Sequence, residues 1–222
     1  MVHDLAFTVF IPKNSGLLHP VDPWPWALAA CCGVALITRR LPLQNAVAIA
    51  VTSFGIAWGA LSLLQPNGVF GIHRIANPSF GPLLPGGVSL GLLLVWSTIA
   101  PLSRGLARLI LHPWRSHPRA GAGILAMNVL LTVLAGCGLE RVAESLHWWR
   151  WTAPSPRLNS TGALVLWGLE WGGVSFLIHL FSTPWWIDKR PVKPSADFRP
   201  LWMLGLLSVW IGVRAIHAAA VR

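Results

Sequence analysis

The stretch AVAIAVTSFGIAWGALSLL, Ala46 to Leu64, runs for 19 residues without a charge. A helix rises about 1.5 Å per residue and a bilayer's hydrocarbon core is about 30 Å thick, so about 20 apolar residues cross it. Five more apolar blocks follow the same pattern: Trp24–Thr38, about Leu83–Ala100, Ala120–Leu139, Ala163–Ser182 and Leu201–Ala220. The first is short for a span. The fifth is interrupted by Glu170, and the last carries Arg214 and His217 near its end.

Charged residues make up only 11% of the 222-residue chain, and hydrophobic ones 54%. A soluble domain usually carries about 25% charge. In hydrocarbon every backbone N–H and C=O must be paired, which only helices and closed barrels achieve. The period-2 alternation of a barrel strand is absent, and Leu/Ala/Val/Gly runs suit helices. The expected fold is therefore all-α: a polytopic integral membrane helix bundle of about six transmembrane helices, with five or seven as alternatives. It forms one transmembrane domain over residues 1–222, with a non-membrane lead (1–23) and a bundle (24–220). The first residues show no cleavable signal peptide. Glycines in blocks three and four, Gly136 among them, permit close helix packing.

The net charge of +10 sits mostly between the blocks. With six spans, the first, third and fifth loops hold ten Lys and Arg, from Arg39 and Arg40 through Arg104 and Arg108 to Arg199. The opposite side holds six. The richer side is expected to be cytoplasmic. Orientation and anionic headgroups account for this charge, and no nucleic-acid signature is present. Ser103–Arg115 reads as a short amphipathic helix on the membrane surface. Cys31, Cys32 and Cys137 have neither disulfide nor zinc spacing and read as buried thiols.

Of seven acids, only Glu170 lies well inside an expected span. A carboxyl group at depth is costly, so it should face the bundle interior. Trp167, Trp171, Ser175 and His179 follow at i+4 steps on one face, with Glu170 at its margin. An acid there could protonate an alkene while the indoles stabilise the cation; it could equally fix helix packing. Glu140 stands on a second i+4 run, Asn128, Thr132, Gly136 and Glu140. After it, Trp148, Trp149 and Trp151 with Arg150 read as an interfacial belt. No metal pair, phosphate loop or dinucleotide fingerprint occurs, so no metal or cofactor is implied.

FGPLLPGGVSLGLLLVW (Phe80–Trp96), SRGLARLILHPWR (Ser103–Arg115), LTVLAGCGLERVAESLHWWRW (Leu131–Trp151) and LFSTPWWIDKRPVKPSADFRPLWML (Leu180–Leu204) come in an order that resembles the bacterial carotenoid biosynthesis membrane protein family, which includes carotenoid 1′,2′-hydratases. The resemblance covers about Phe70 to Trp210. It implies a bacterial inner-membrane location and water addition to the terminal double bond of a linear carotene. Glu140 and Glu170 would be the acid candidates, and Trp96, Trp167, Trp171 and Trp210 would line the polyene groove. Several polar positions depart from the family's pattern. Gly136 stands about where an aspartate is usual, Arg141 replaces a proline after Glu140, and the chain has no tyrosine. A second expectation follows: a non-catalytic carotenoid- or lipid-binding subunit of a larger membrane complex, such as a pigment–protein assembly. Its partners would be membrane lipid, a carotenoid or other isoprenoid, and other membrane-protein subunits.

Overall fold

The computed structural model describes residues 24–39, 41–67, 73–76, 80–114, 116–146, 148–152, 160–186 and 198–220. The N-terminal lead and the basic segment 187–197 lie outside these residues, as do the side chains of Arg150, Trp151, Arg214 and His217. Six α-helices follow in order: α1 (Trp24–Thr38), α2 (Leu43–Asn67), α3 (Leu90–Ile110), α4 (Ala120–Ser145), α5 (Ser160–Ser182) and α6 (Arg199–Ala220). The all-α expectation holds. Four helical stretches are long and apolar enough to cross a membrane: Leu43–Leu64, Leu90–Ile110, Ala120–Ala143 and Leu164–Trp186. Shorter apolar stretches occupy α1 (Pro25–Thr38) and α6 (Arg199–Val213). These candidate spans suggest a multi-pass membrane protein.

The helix order in space has one centre. α3 packs against all five other helices. The others close a ring around it, α1 to α2 to α5 to α4 to α6 and back to α1. Sequence reading ended the third block at Ala100 and laid Ser103–Arg115 on the membrane surface. The structure corrects this: one continuous helix runs through Pro101 to Ile110, and Ser103 and Arg104 are buried in it. The reason is position. A helix enclosed by protein can carry Ser97, Thr98, Ser103 and Arg104 at depth because they meet other helices instead of lipid. Arg104, assigned to a loop by sequence, therefore belongs to the interior.

The outer faces are apolar. Val47, Val51 and Leu63 of α2, Leu134 of α4, Phe181 of α5 and Trp202, Leu206 and Ile216 of α6 are exposed. In water this would be an aggregation surface; against acyl chains it is solvated. Cys31 and Cys32 are on the exposed side of α1 and Cys137 is half-buried, so the expectation of buried thiols fails.

Two small strand pairs tie the helix ends. β2 (Leu83–Leu84) pairs with β3 (Val88–Ser89) in a hairpin before α3. Its turn docks on α2, where Trp58 Nε1 and Ser62 Oγ both donate to the Pro85 carbonyl at 3.0 and 3.1 Å. Ser89 then caps α3, its hydroxyl accepting from the Leu92 N–H at 3.3 Å. The GGVS segment is thus a turn and a cap. β1 (His73–Ala76) pairs antiparallel with β4 (Trp149–Thr152), in register His73↔Thr152 to Ala76↔Trp149. This joins the α2–α3 and α4–α5 connections, which an alternating helix order puts on one side.

Phe80 is wedged against the start of α3. A β-carbon on Gly91 would meet the Phe80 backbone oxygen and approach its ring to 2.6 Å. Gly91→Ala should therefore destabilise the protein by about 2 kcal/mol, as overpacking does. Unfolding in a detergent–SDS titration checks this; an unchanged midpoint would show that Phe80 can move aside.

Candidate functional site

Two stripes meet between α4 and α5. On α4, Asn128, Thr132, Gly136 and Glu140 are all buried. On α5, Trp167, Trp171, Ser175 and His179 are buried. Both i+4 runs read from sequence therefore face the interior, as helical periodicity requires. They touch at Gly136, where a β-carbon would overlap the Trp171 ring. With no side chain at 136, the indole lies directly on the α4 backbone.

Glu140 is completely buried, at 0% exposure. Trp149 Nε1 donates to its Oε2 at 2.6 Å, and Trp171 Nε1 donates to its Oε1 at 2.8 Å. Indole N–H groups are donors only, so a carboxyl group with two oxygens is the natural common acceptor. One side chain thereby ties α4 to α5 and to the first residue of β4. Trp171 is further fixed by Trp96 of α3, stacked at a centroid distance of 4.2 Å with 24° between planes.

Beyond Trp149 the aromatic cluster continues. Phe80 stacks on Trp148 at 5.2 Å and meets Trp149 edge-on at 5.5 Å. Trp148 in turn stacks with Trp210 of α6 at 6.0 Å, and Trp26 of α1 approaches both edge-on. Helices α1, α3, α4, α5 and α6 thus each contribute an indole or its acceptor to one aromatic core. Such ring pairs add about 0.5–1.5 kcal/mol each beyond the area they bury.

This arrangement joins most of the residues singled out from sequence. Glu140, Trp171 and Trp96 are linked directly. Trp210 belongs to the same core through Trp148, and Trp167 is buried within it. Glu170 is different: it is half-buried on α5, while Glu140 is the fully buried acid inside a candidate span. The expectation that Glu170 is the only deep acid is therefore corrected. The cause is helix length, because α4 continues to Ser145, past the apolar block that ended at Leu139.

Trp148 and Trp149 also depart from expectation. They are 1% and 2% exposed, core residues and no interfacial belt. Sequence reading missed their role, together with those of Phe80 and Trp26. For Trp149 the available signal was the run Trp149-Arg150-Trp151-Thr152, an aromatic and β-branched composition suited to a strand; for the other three no local pattern gives it.

At the other end of the same seam, hydrogen-bonding capacity is unfilled. The Asn128 amide, the Ser175 hydroxyl and both His179 ring nitrogens are buried with no protein partner among the described residues. The Arg104 guanidinium lies at this level, donating to the His179 carbonyl and to Thr183 Oγ1, both at 3.3 Å. Comparisons with protein families, curated proteins and solved structures give no match to this chain.

Proposed function

We propose that this multi-pass protein is a non-catalytic, isoprenoid- or lipid-binding subunit of a larger membrane complex. The observation that carries this reading is Glu140. Both its oxygens are engaged by indoles, and the space beside it at Gly136 is filled by Trp171. A catalytic acid must be able to reach an alkene carbon with its proton, and water must be able to reach the cation. A carboxyl group clamped in a packed aromatic core serves instead as a tie between helices. The apolar outer faces are left to meet acyl chains, a carotenoid or partner helices.

The second reading is a hydratase-like enzyme. It is favoured by the coincidence of Glu140 with the glutamate that the family resemblance marks. In that reaction the acid would protonate the terminal alkene, water would add to the tertiary cation, and the proton lost by the water would restore the acid.

One pair of measurements separates the two. Expression in a lycopene-accumulating host should leave the pigment unchanged by chromatography. Purification from native membranes in mild detergent should yield pigment or companion subunits. A hydroxylated carotene establishes the enzyme instead. A colourless preparation that runs alone removes the subunit reading.

A further inference from the structure

We infer that the indole core is a one-electron relay: it passes an electron outward to an oxidant at the α6 face, and Glu140 takes up the proton that is released. Only the natural oxidant rests on the subunit reading: a pigment of the complex, photo-oxidised to its radical cation against α6. The relay itself belongs to this chain.

The sequence holds 14 tryptophans and no tyrosine, so no phenol competes with indole as the place where an electron is lost. Aromatic rings in near contact exchange electrons because their π-systems overlap. Such a path runs through the core. Trp210, half-buried on α6, stacks with Trp148 at 6.0 Å with 22° between planes. Trp148 lies 6.2 Å from Trp149, tilted by 47°. Trp149 and Trp171 then share Glu140, donating to its two oxygens at 2.6 and 2.8 Å. Trp171 ends the path, stacked on Trp96 at 4.2 Å.

Hydrogen bonding gives the path a resting point. An indole that loses an electron becomes a radical cation, and a cation in a low-dielectric core is unfavourable. Releasing the N–H proton removes that charge, which requires a base within reach. For Trp96, and for Trp26 beside Trp148, this route is closed, because their N–H groups have no acceptor among the described residues. Trp149 and Trp171 have one, at the lengths of charge-assisted bonds. The sequence of transfers is then complete. The oxidant takes one electron from Trp210, Trp148 replaces it, and Trp149 replaces the one lost by Trp148. The Trp149 Nε1–H bond breaks, and its proton moves to Glu140 Oε2. A neutral indolyl radical is left beside a carboxylic acid. Trp149 is 2% exposed, so the radical rests out of reach of acyl chains. Return of one electron from a reductant of the complex sends the proton back.

The test uses the full chain in mild detergent, with Cys31, Cys32 and Cys137 replaced by alanine and Val213→Cys carrying a ruthenium(II) tris-diimine label. Val213 is exposed and lies one turn beyond Trp210 on α6. A flash in the presence of an irreversible electron acceptor converts the label to ruthenium(III), the stand-in for the oxidised pigment. Transient visible absorption and electron paramagnetic resonance should then show the neutral indolyl radical. Trp148→Phe interrupts the path and should lose that signal. Glu140→Gln offers no base and should leave only a short-lived radical cation. Trp202→Phe, on an exposed residue of α6 outside the path, should change nothing. A parent protein that forms no neutral radical overturns the relay. So does an undiminished yield in Trp148→Phe or in a folded Glu140→Gln protein. Loss of the signal in Trp202→Phe would mean a route along the surface of α6 and overturns it too. Should Glu140→Gln fail to fold, Trp148→Phe, which keeps a ring between Phe80 and Trp210, decides the matter. None of these outcomes bears on the subunit reading, which stands or falls on the pigment and companions found in native membranes.

Discussion

Glu140→Ala should lower the stability of the bundle by about 2–4 kcal/mol. The variant leaves two buried indole N–H groups, those of Trp149 and Trp171, without an acceptor. Each orphaned donor costs about 1–3 kcal/mol in a protein interior. Interhelical bonds in bilayers average nearer 0.6 kcal/mol, because the unfolded chain finds partners within the membrane. The lower bound of the expected range reflects that. Glu140→Gln keeps one acceptor oxygen but sets an amide NH2 against the other indole, so it should cost roughly half as much. SDS-induced unfolding gives the free energy, and tryptophan emission should shift to the red as Trp149 leaves the core. If both variants unfold within about 0.5 kcal/mol of wild type, the clamp is not structural. The proposed function would then lose its main support.

Gly136→Ala should destabilise by about 3 kcal/mol, at the upper end of overpacking costs. The new methyl group would sit 2.6 Å from Trp171 Cε2, and nearer still to other ring atoms. The indole cannot retreat cheaply. Trp96 is stacked on it at 4.2 Å, and its N–H is committed to Glu140. Trp171→Phe removes both the second ring and the N–H, so on its own it opens a cavity and frees one Glu140 oxygen. It also makes room for the methyl group. The double variant should therefore be more stable than the sum of the two single losses predicts, by at least about 1 kcal/mol. Strict additivity would show that the Gly136–Trp171 contact is not what limits the fold. The same geometry accounts for a departure noted from sequence. A residue with an aspartate side chain at 136 has no space beside Trp171, so glycine at one position and tryptophan at the other belong together.

The helices were legible because apolar length and i+4 spacing are local properties. Asn128, Thr132, Gly136 and Glu140 could be assigned to one face, and Trp167, Trp171, Ser175 and His179 to another, without knowing what either face meets. What could not be read was enclosure. Pro101, Ser103 and Arg104 look like the end of a span when lipid is assumed outside, and become ordinary interior residues once five helices surround α3. Trp148 and Trp149 failed for a similar reason. Tryptophan at a helix end suits an interface and a core equally, and partners far away in sequence, Phe80 for both and Trp26 and Trp210 for Trp148, decide between them. Glu140 was marked by its stripe and by the family resemblance. Its two donors come from positions 9 and 31 residues further along the chain, a pairing that no local pattern encodes.

The enclosed helix has a consequence for biogenesis. Of the four candidate spans, α3 is the least hydrophobic, with a mean hydropathy of 1.4 against 1.9 and 2.0 for Leu43–Leu64 and Ala120–Ala143. It also carries a guanidinium at depth. Yet it is synthesised third, when only α1 and α2 exist to shield it. The acceptors that hold Arg104 lie 75 and 79 residues downstream, in the last turn of α5 and just beyond. The expected consequence is that this segment reaches its final surroundings only after α5 has been made. The ring of helices around α3 would then close late, and the centre of the molecule is expected to be the last part to be finished.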